Sequence, residues 1–331
     1  MANLQASPRG PELQSILTAY DSKDCGEDKA SWLVVFRHDE FGNHARYFLL
    51  AHPLPEPESG GDKQSRGRVL VVAGSVDIPG AALLAGLGSL RAGSGILQIA
   101  TCRSSAAHLG LAMPEAMVIG CNETSGGGID PESAEQLIKL GTDCAAVLVG
   151  PGMTDPAAVA ELTFALLRHL NSPALVLDAL AFSTLRADEI PKGRVGKIIV
   201  TPHSGEMAKF LNVRREDVVK SPLQAARRAA AALPAVVAMK GAETYVVAEN
   251  GQAWLSRNGS IGLATSGSGD TLAGILAGLL ARGTEASLAT VWAVYMHGQA
   301  GRNLTVRYGA FGLLAREIPG EIPAIMQGLS Q

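Results

Sequence analysis

The sequence lacks the features that would place the chain in a membrane, in a disulfide framework or on nucleic acid. No apolar run approaches the roughly 18 residues that span a bilayer. The four cysteines form neither a Cys-x-x-Cys pair nor a cysteine and histidine cluster with zinc spacing. With a formal net charge of −3, the chain also lacks the dominant basic field that general nucleic-acid binding needs. We therefore expect a soluble, cytoplasmic protein with reduced thiols and with no membrane or nucleic-acid partner.

The 331 residues are enough for one large α/β domain or for two smaller ones, and 47% of them are hydrophobic. The first part of the chain ends in a polar stretch at 53–67 that is rich in Pro, Gly and Ser. The sequence therefore predicts an N-terminal extension and linker over 1–66 and a larger domain over 67–331. Within the extension, residues 31–53 resemble a β-hairpin with its turn near 41–43.

From Arg68 onwards, short uninterrupted apolar runs alternate with helix-like segments. The run RVLVVAGS is followed by GAALLAGLGSLRAG, and the alternation recurs through GILQIAT, AAVLVGPG, ALVLDAL, KIIVTPH and AVVAMKG. Continuous apolar runs indicate strands that are covered on both faces. The pattern predicts an α/β fold with a mostly parallel central sheet covered by helices on both faces.

Polar and glycine-rich turns follow five of these apolar runs. They are Gly74-Ser75, Gly150-Pro151-Gly152, Asp178, Thr201-Pro202-His203 and Lys240-Gly241. Any one of them can be explained as a turn former. Five together exceed what turn chemistry requires, and ligands of open α/β sheets bind beyond the carboxyl ends of the strands. We expect a ligand site at that edge.

The segment from Gly262 to Gly283 places four small residues and one acid, Asp270, in front of an apolar helix. We expect this helix to begin at or just after Asp270, with its unpaired N–H groups and positive dipole end facing the entrance. Asp270 could simply cap the helix, but capping does not require the preceding Gly267 and Gly269, which leave room for an anion. The segment is not a Walker A motif and lacks the spacing of a dinucleotide fold.

A carboxylate inside an anion site would repel a phosphate that is merely bound there. It has a use as a base that takes a proton from a hydroxyl, while the helix end stabilises the charge of a phosphoryl group in transfer. The entrance around Asp270 therefore points to the chemistry of a small-molecule kinase.

The tetrad Gly267 to Asp270, placed near the C-terminus behind a glycine-rich sheet, resembles the ribokinase-like superfamily. The similarity is closer to one of its families, the nucleotide-dependent NAD(P)H-hydrate dehydratases, which are often labelled carbohydrate kinases. Matching segments occur in the family's order from about Gly67 onwards: MPEAMV, VLVGPGM, VTPHSGEMAKFL, MKGAET, GLATSGSGDTLAGILAGLLARG, AVYMHGQAG and GLLAREIP. The resemblance implies a ribokinase-like catalytic domain over 67–331.

The same resemblance implies a lyase of metabolite repair that acts on hydrated NADH and NADPH. A nucleotide would phosphorylate the hydroxyl of the damaged nicotinamide ring, and loss of phosphate would restore the dihydronicotinamide. ADP or ATP is expected as the co-substrate, with ADP favoured, together with Mg²⁺, for which the sequence assigns no ligands. A homo-oligomer is expected because such assemblies are common among soluble enzymes.

The resemblance also implies roles for individual residues. Asp270 would be the base, with the N–H groups of Gly267, Ser268 and Gly269 as the anion hole. The AMP portion of the nucleotide would lie on Lys240, Gly241, Ala242, Glu243, Thr244 and Gly269. The hydrated cofactor would contact Ala81, Gly152, His203 and Asp270. His297 is expected to be a packing residue on a helix.

Departures from the family pattern keep two other interpretations open. Leu180 and Ser183 replace the second Asp and the Asn of the element that begins at Asp178. One alternative is another kinase of this fold, acting on a hydroxymethylpyrimidine, a thiazole or a sugar. The other is a nucleotide-binding sensor without catalysis, which the two replacements favour and the intact Asp270 opposes.

Overall fold

A computed structural model of the protein describes residues 33–36, 44–56, 60–186, 190–191 and 196–329. The strands are β1 Leu33–Phe36, β2 Arg68–Val72, β3 Ile96–Cys102, β4 Ala116–Cys121, β5 Ala146–Val149, β6 Ala174–Leu177, β7 Ile198–Val200, β8 Val236–Met239, β9 Thr244–Val247 and β10 Ala253–Ser256. They form one sheet in the order β1-β10-β9-β8-β7-β6-β5-β2-β3-β4. Strand β9 runs antiparallel to both of its neighbours, and the other pairings are parallel.

The α-helices in the same part of the chain are α1 His44–Ala51, α2 Gly80–Arg91, α3 Arg103–Ala112, α4 Ala134–Thr142, α5 Pro156–His169, α6 Ala179–Ser183, α7 Ser204–Leu211, α8 Arg215–Lys220, α9 Pro222–Ala232, α10 Ser268–Ala281, α11 Ala286–Tyr308 and α12 Ile318–Gln327. Short 3₁₀ turns cover Pro131–Ser133, Ile261–Leu263 and Ala315–Glu317. None of the helices within the described residues combines the length and hydropathy that crossing a membrane requires.

Both faces of the central strands are buried, as the uninterrupted apolar runs predict. In β2, Val69 and Val71 belong to the core on the side of α1 to α3 and α10 to α12. Leu70 and Val72 belong to the core on the side of α4 to α9. Successive residues of a strand point to opposite faces, so a strand between two helical layers must be apolar at every position. The predicted α/β fold is confirmed.

Glycines let helix α10 lie directly against helix α2. A Cβ atom on Gly274 would come within 2.0 Å of the carbonyl oxygen of Ala85, and one on Gly278 would come within 2.4 Å of that of Ser89. A Cβ atom on Gly88 of α2 would likewise meet the carbonyl oxygen of Thr271 at 2.6 Å. The backbones therefore approach so closely that no side chain fits between them, which fixes the position of α10.

The predicted hairpin over 31–53 is wrong. Strand β1 pairs in parallel with β10 instead of with a neighbour in sequence, and 44–51 form helix α1. Ala45 and Leu49 lie four residues apart, a helical spacing, and both are buried in the core. The predicted turn at 41–43 lies outside the described residues. The division at residue 66 stays a prediction.

Candidate active site

The five polar turns singled out in the sequence lie at the ends of five consecutive strands of the sheet. In sheet order these strands are β8, β7, β6, β5 and β2, and they run parallel to one another. Their carboxyl ends therefore share one edge. Two of the turns touch, because the N–H group of Gly74 donates to the carbonyl oxygen of Pro151 over 2.7 Å. A Cβ atom on Gly150 would come within 2.0 Å of the carbonyl oxygen of Asp178.

Helix α10 begins at Ser268, two residues before the predicted start. Gly267 is its N-cap residue and has a φ of 86°, a left-handed conformation that glycine adopts readily. No side chain caps this end of the helix. Asp270 lies inside the first turn and does not act as the cap. The first N–H groups of α10 are consequently free of a capping side chain, which is the arrangement that binds anions.

The ammonium group of Lys240 connects the sheet to this helix entrance. Lys240 Nζ donates to Asp178 Oδ1 over 2.7 Å, and the hydroxyl of Thr201 donates to the same oxygen over 2.6 Å. On its other side, Lys240 Nζ lies 3.3 Å from the position that a Cβ atom on Gly269 would occupy. Any side chain at position 269 would therefore crowd the ammonium group.

Burial and charge shift the pKa values of this cluster. Burial alone lowers the pKa of Lys240, but the carboxylates of Asp178 and Glu206 raise it above its usual value, so the side chain is a cation. Burial is also the main reason that the pKa of Asp270 is raised from 3.8 to about 6. The charge of Asp178 adds to this rise and that of Lys240 opposes it. An acid with a pKa near neutrality is suited to exchange protons with a substrate.

His203 begins helix α7 through a reciprocal capping box. Its Nδ1 atom accepts from the N–H groups of Gly205 and Glu206 over 2.9 and 3.2 Å. The carboxylate of Glu206 accepts from the N–H group of His203 over 2.8 Å. Because Nδ1 is an acceptor, the ring hydrogen bond donor is Nε2, which lies 3.3 Å from a carboxylate oxygen of Glu206. The side chain is 60% exposed, so a ligand can reach the ring while Glu206 orients it.

Ala81 and Gly152, both predicted to contact the substrate, lie side by side. Gly152 has a φ of 63°, and a Cβ atom there would come within 2.4 Å of the Cβ atom of Ala81. One turn further along α2, Leu84 packs against Gly267, where an added Cβ atom would meet it at 2.4 Å. The start of α2 therefore links the Gly152 turn to the entrance of α10.

The segment predicted to bind the nucleotide follows β8. Lys240 pairs with His203 across an isolated parallel bridge, and its N–H group donates to the carbonyl oxygen of Pro202 over 2.7 Å. Gly241 and Ala242 are exposed. Further along, the carboxylate of Glu243 is held by Arg257 at 2.5 Å and by the hydroxyl of Tyr245 at 3.1 Å. Glu243, whose side chain is 39% exposed, therefore orders the turn from the protein surface.

The structure gives several residues contacts at this site that the sequence did not predict. Asp178 was singled out by its position after a strand, but its pairing with Lys240 was not predicted. His297 was predicted to pack, and it also forms a hydrogen bond to Ser268. Leu180, where the family has an acid, is partly buried and packs against the apolar core. A leucine at this position offers no polar atom to a ligand.

Comparisons with known proteins show the family to which the chain belongs. The family model for NAD(P)H-hydrate dehydratases of the carbohydrate-kinase family matches residues 69–324. The chain is 46% identical over 285 residues to the ADP-dependent (S)-NAD(P)H-hydrate dehydratase of Xanthomonas campestris pv. campestris, covering 85% of this chain and 94% of that protein.

Two solved structures are similar as well. The ADP/ATP-dependent NAD(P)H-hydrate dehydratase from Bacillus subtilis, co-crystallised with ATP and Mg²⁺, has a TM-score of 0.72 and 31% identity over 86% of this chain and 96% of that chain. A ribokinase-like superfamily protein from Enterococcus faecalis V583 has a TM-score of 0.75 at 24% identity, covering 90% of this chain and 97% of that chain, which shows the fold. The predicted fold and the resemblance drawn from the sequence are thereby confirmed, and the chain belongs to the NAD(P)H-hydrate dehydratase family.

Proposed function

We propose that this chain repairs hydrated NADH and NADPH by nucleotide-dependent dehydration, with ADP as the phosphoryl donor in preference to ATP. The family membership and the ADP-dependent relative at 46% identity support this activity and this nucleotide. The observation that carries the proposal is the placement of Asp270. Its carboxylate lies within the first turn of an uncapped helix and has a pKa of about 6.

The chemistry follows from these two properties of the site. Asp270 takes the proton from the ring hydroxyl, and the hydroxyl oxygen forms a bond to the terminal phosphorus of ADP. The bond from that phosphorus to the bridging oxygen breaks, and AMP leaves with the electron pair. The phosphate ester then loses inorganic phosphate with the electron pair of its C–O bond, and loss of a proton from the neighbouring carbon restores the dihydronicotinamide. Asp270 can return its proton to a product once the phosphoryl group has moved.

The charge of the moving phosphoryl group is stabilised from two sides. The N–H groups of Gly267, Ser268 and Gly269 would form the anion hole at the helix end. Lys240 adds a fixed positive charge next to Gly269, held there by Asp178. The helix end and Lys240 are held in place before any ligand arrives, which is the condition under which electrostatic stabilisation is most effective. The Ser268 N–H group faces the carbonyl oxygen of Thr265 at 3.3 Å, a contact that a bound anion would share or replace.

Mg²⁺ fits this site as a partner of the nucleotide. Among the described residues no group of three or more His, Cys, Asp and Glu side chains converges to hold a metal ion by itself. Mg²⁺ is commonly held by substrate phosphates with one or two carboxylates. Asp178 and Glu206 are the carboxylates that would bind it, directly or through water. When bound, the ion offsets phosphate charge, which three acids around the single Lys240 would otherwise repel.

The two ligands are proposed to occupy neighbouring parts of the site. Lys240 to Thr244, with Gly269, would hold the AMP portion of the nucleotide. The hydrated cofactor would lie over Ala81 and Gly152 and reach the exposed ring of His203, which Glu206 orients. The homo-oligomer and the cytoplasmic location remain predictions from the sequence.

The test is recovery of dihydronicotinamide absorbance from hydrated NADPH and Mg²⁺, with ADP and ATP in parallel. We expect recovery to require a nucleotide, to be faster with ADP, and to fall about 10²- to 10⁴-fold in Asp270→Asn. Asp143→Asn, an exposed acid at the end of α4, is the matched control and should be fully active. No recovery with either nucleotide, from a folded protein that binds ADP, would overturn the dehydratase and favour a small-molecule kinase.

A further inference from the structure

Helix α11 contacts the anion-hole segment through one histidine. The Nε2 atom of His297 lies 3.0 Å from the carbonyl oxygen of Ser268 and 3.0 Å from its hydroxyl oxygen. Ser268 is the first residue of α10, and Gly267 before it supplies no capping side chain. The contact from His297 therefore supplies a support for this turn that the sequence of α10 does not provide.

The protonation state of His297 follows from its partners. A carbonyl oxygen can only accept a hydrogen bond, so the ring nitrogen facing Ser268 carries the hydrogen. Burial lowers the pKa of His297 from 6.5 to about 4; the hydrogen bond to the Ser268 carbonyl opposes the change, and the charge of Lys240 adds to it. At neutral pH the ring is therefore an uncharged donor with its hydrogen on Nε2.

A donor at this point fixes the orientation of the peptide group between Ser268 and Gly269. The peptide is planar and trans, so its carbonyl oxygen and its N–H group point in opposite directions. The Gly269 N–H group, in the first turn of α10, points towards the helix entrance, and holding the Ser268 carbonyl from the α11 side keeps it in that orientation. That N–H group is one of the three proposed to face the transferring phosphoryl group.

Close packing holds the histidine itself in place. A Cβ atom on Gly298 would come within 2.8 Å of the carbonyl oxygen of Asn258. One turn later, a Cβ atom on Gly301 would come within 2.4 Å of the side chain of Leu263. The Asn258 to Leu263 segment leads directly into the glycine-rich entrance, so α11 supports both the approach to the anion hole and its first peptide.

We propose that His297 is a positioning residue for phosphoryl transfer, which acts by holding the Ser268–Gly269 peptide so that its N–H group faces the phosphoryl group. This proposal rests on the proposed function for its effect on turnover. The proposal also predicts the affinity of the site for inorganic phosphate, which can be measured without turnover. His297 touches no reacting atom in this role, so its removal should lower kcat more than it raises the KM for ADP.

The experiment compares His297→Leu, which removes the donor, with His297→Gln, whose amide nitrogen can reach the Ser268 carbonyl. Thr290→Val is the structural control, because Thr290 is fully buried on α11 two turns away and donates within its own helix to Ala286 over 2.7 Å. The readouts are kcat, the KM for ADP, and the affinity for inorganic phosphate of the protein with AMP bound, measured by calorimetry.

We expect His297→Leu to lower kcat about 10- to 100-fold, somewhat less than the loss of a complete oxyanion-hole donor. Phosphate affinity should fall in parallel, the KM for ADP should change less than about threefold, and His297→Gln should regain most of both losses.

If the Leu variant does not fold, His297→Asn, whose amide is too short to reach Ser268, replaces it. Unchanged phosphate affinity in the folded donor-free variant would overturn the proposal, as would equal losses in Thr290→Val. An inactive wild-type protein whose phosphate affinity still depends on His297 would overturn the proposed function alone.

Discussion

The ammonium group of Lys240 and the carboxylate of Asp178 form an ion pair of 2.7 Å, although they follow strands that are not neighbours in the sheet. Strand β7 lies between β6 and β8, and it contributes Thr201, whose hydroxyl donates to the same carboxylate oxygen. Asp178 is almost fully buried, with a side chain 3% exposed, whereas that of Lys240 is 19% exposed. The pair therefore joins three strand ends and aims one positive charge at the entrance of α10.

Removing one member of this ion pair should lower the free energy of unfolding. In Lys240→Met, the Asp178 carboxylate stays buried without its cation, and we expect the free energy of unfolding to fall by about 3–5 kcal/mol. The double variant Asp178→Asn, Lys240→Met removes both charges of the pair and should be more stable than Lys240→Met. Urea denaturation of the wild type, both single variants and the double variant closes the cycle. Additive losses would show that the two side chains are not coupled.

The pH dependence of turnover should report the raised pKa of Asp270. The base must be ionised to accept a proton, so kcat/KM should fall as the pH drops through about 6. An aspartate of ordinary pKa would keep its activity down to about pH 4. The profile should be measured from pH 4.5 to 8.5 with hydrated NADPH and saturating ADP.

Two variants should shift the acid limb of this profile, which is the fall of kcat/KM at low pH, in opposite directions. Glu206→Gln removes a negative charge that raises the pKa of Asp270, so the limb should shift to lower pH. Lys240→Met removes the positive charge that lowers it, so the limb should shift to higher pH. Shifts of the same sign in both variants would contradict the electrostatic origin of the limb.

The same carboxyl group should make the folded protein less stable at neutral pH. Its pKa is higher in the folded than in the unfolded chain, so folding favours the protonated form. This contribution is complete below the unfolded pKa of 3.8 and is lost as the pH rises through about 6. Asp270→Asn cannot ionise, and we expect it to exceed the wild type in stability by about 1–3 kcal/mol at pH 8.

At pH 4 that difference should nearly vanish. Denaturation at both pH values checks this, with Asp143→Asn as the exposed control that should match the wild type at each. A stability gain in Asp270→Asn that does not depend on pH would contradict the assignment of the raised pKa to this group.

The architecture was predictable because its signal is local. Each central strand is apolar throughout, and this property can be read from a few residues such as Val69 to Val72. The position of the site was predictable for a related reason, since parallel strands bring their carboxyl ends to one edge. The contact between Lys240 and Asp178 was not predictable, because it depends on the order of β6, β7 and β8 in the sheet.

The two incorrect predictions, for the start of α10 and for α1, have local physical causes. The start of α10 was placed too late because an acid before an apolar helix is typical of a cap, whereas the left-handed φ of Gly267 begins the helix at Ser268. Helix α1 was taken as a strand because short apolar runs do not distinguish the two. The burial of Ala45 and Leu49 in the core favours the helix there.

The contact between α2 and α10 offers a test of why α10 contains glycine at all. Gly274→Ala places a methyl group within 2.0 Å of the Ala85 carbonyl oxygen, so the helices must separate. We expect a loss of at least about 2 kcal/mol in the free energy of unfolding. Because α10 carries Asp270, kcat should fall as well.

Gly320→Ala is the matched control for this substitution. Gly320 is an exposed residue of α12, and a Cβ atom there would meet nothing within 4 Å. Alanine is the better helix former by about 1 kcal/mol, so this variant should be slightly more stable and fully active. Equal unfolding midpoints for Gly274→Ala and Gly320→Ala would show that α2 and α10 can separate without cost, in which case the glycines of α10 do not set the distance between the two helices.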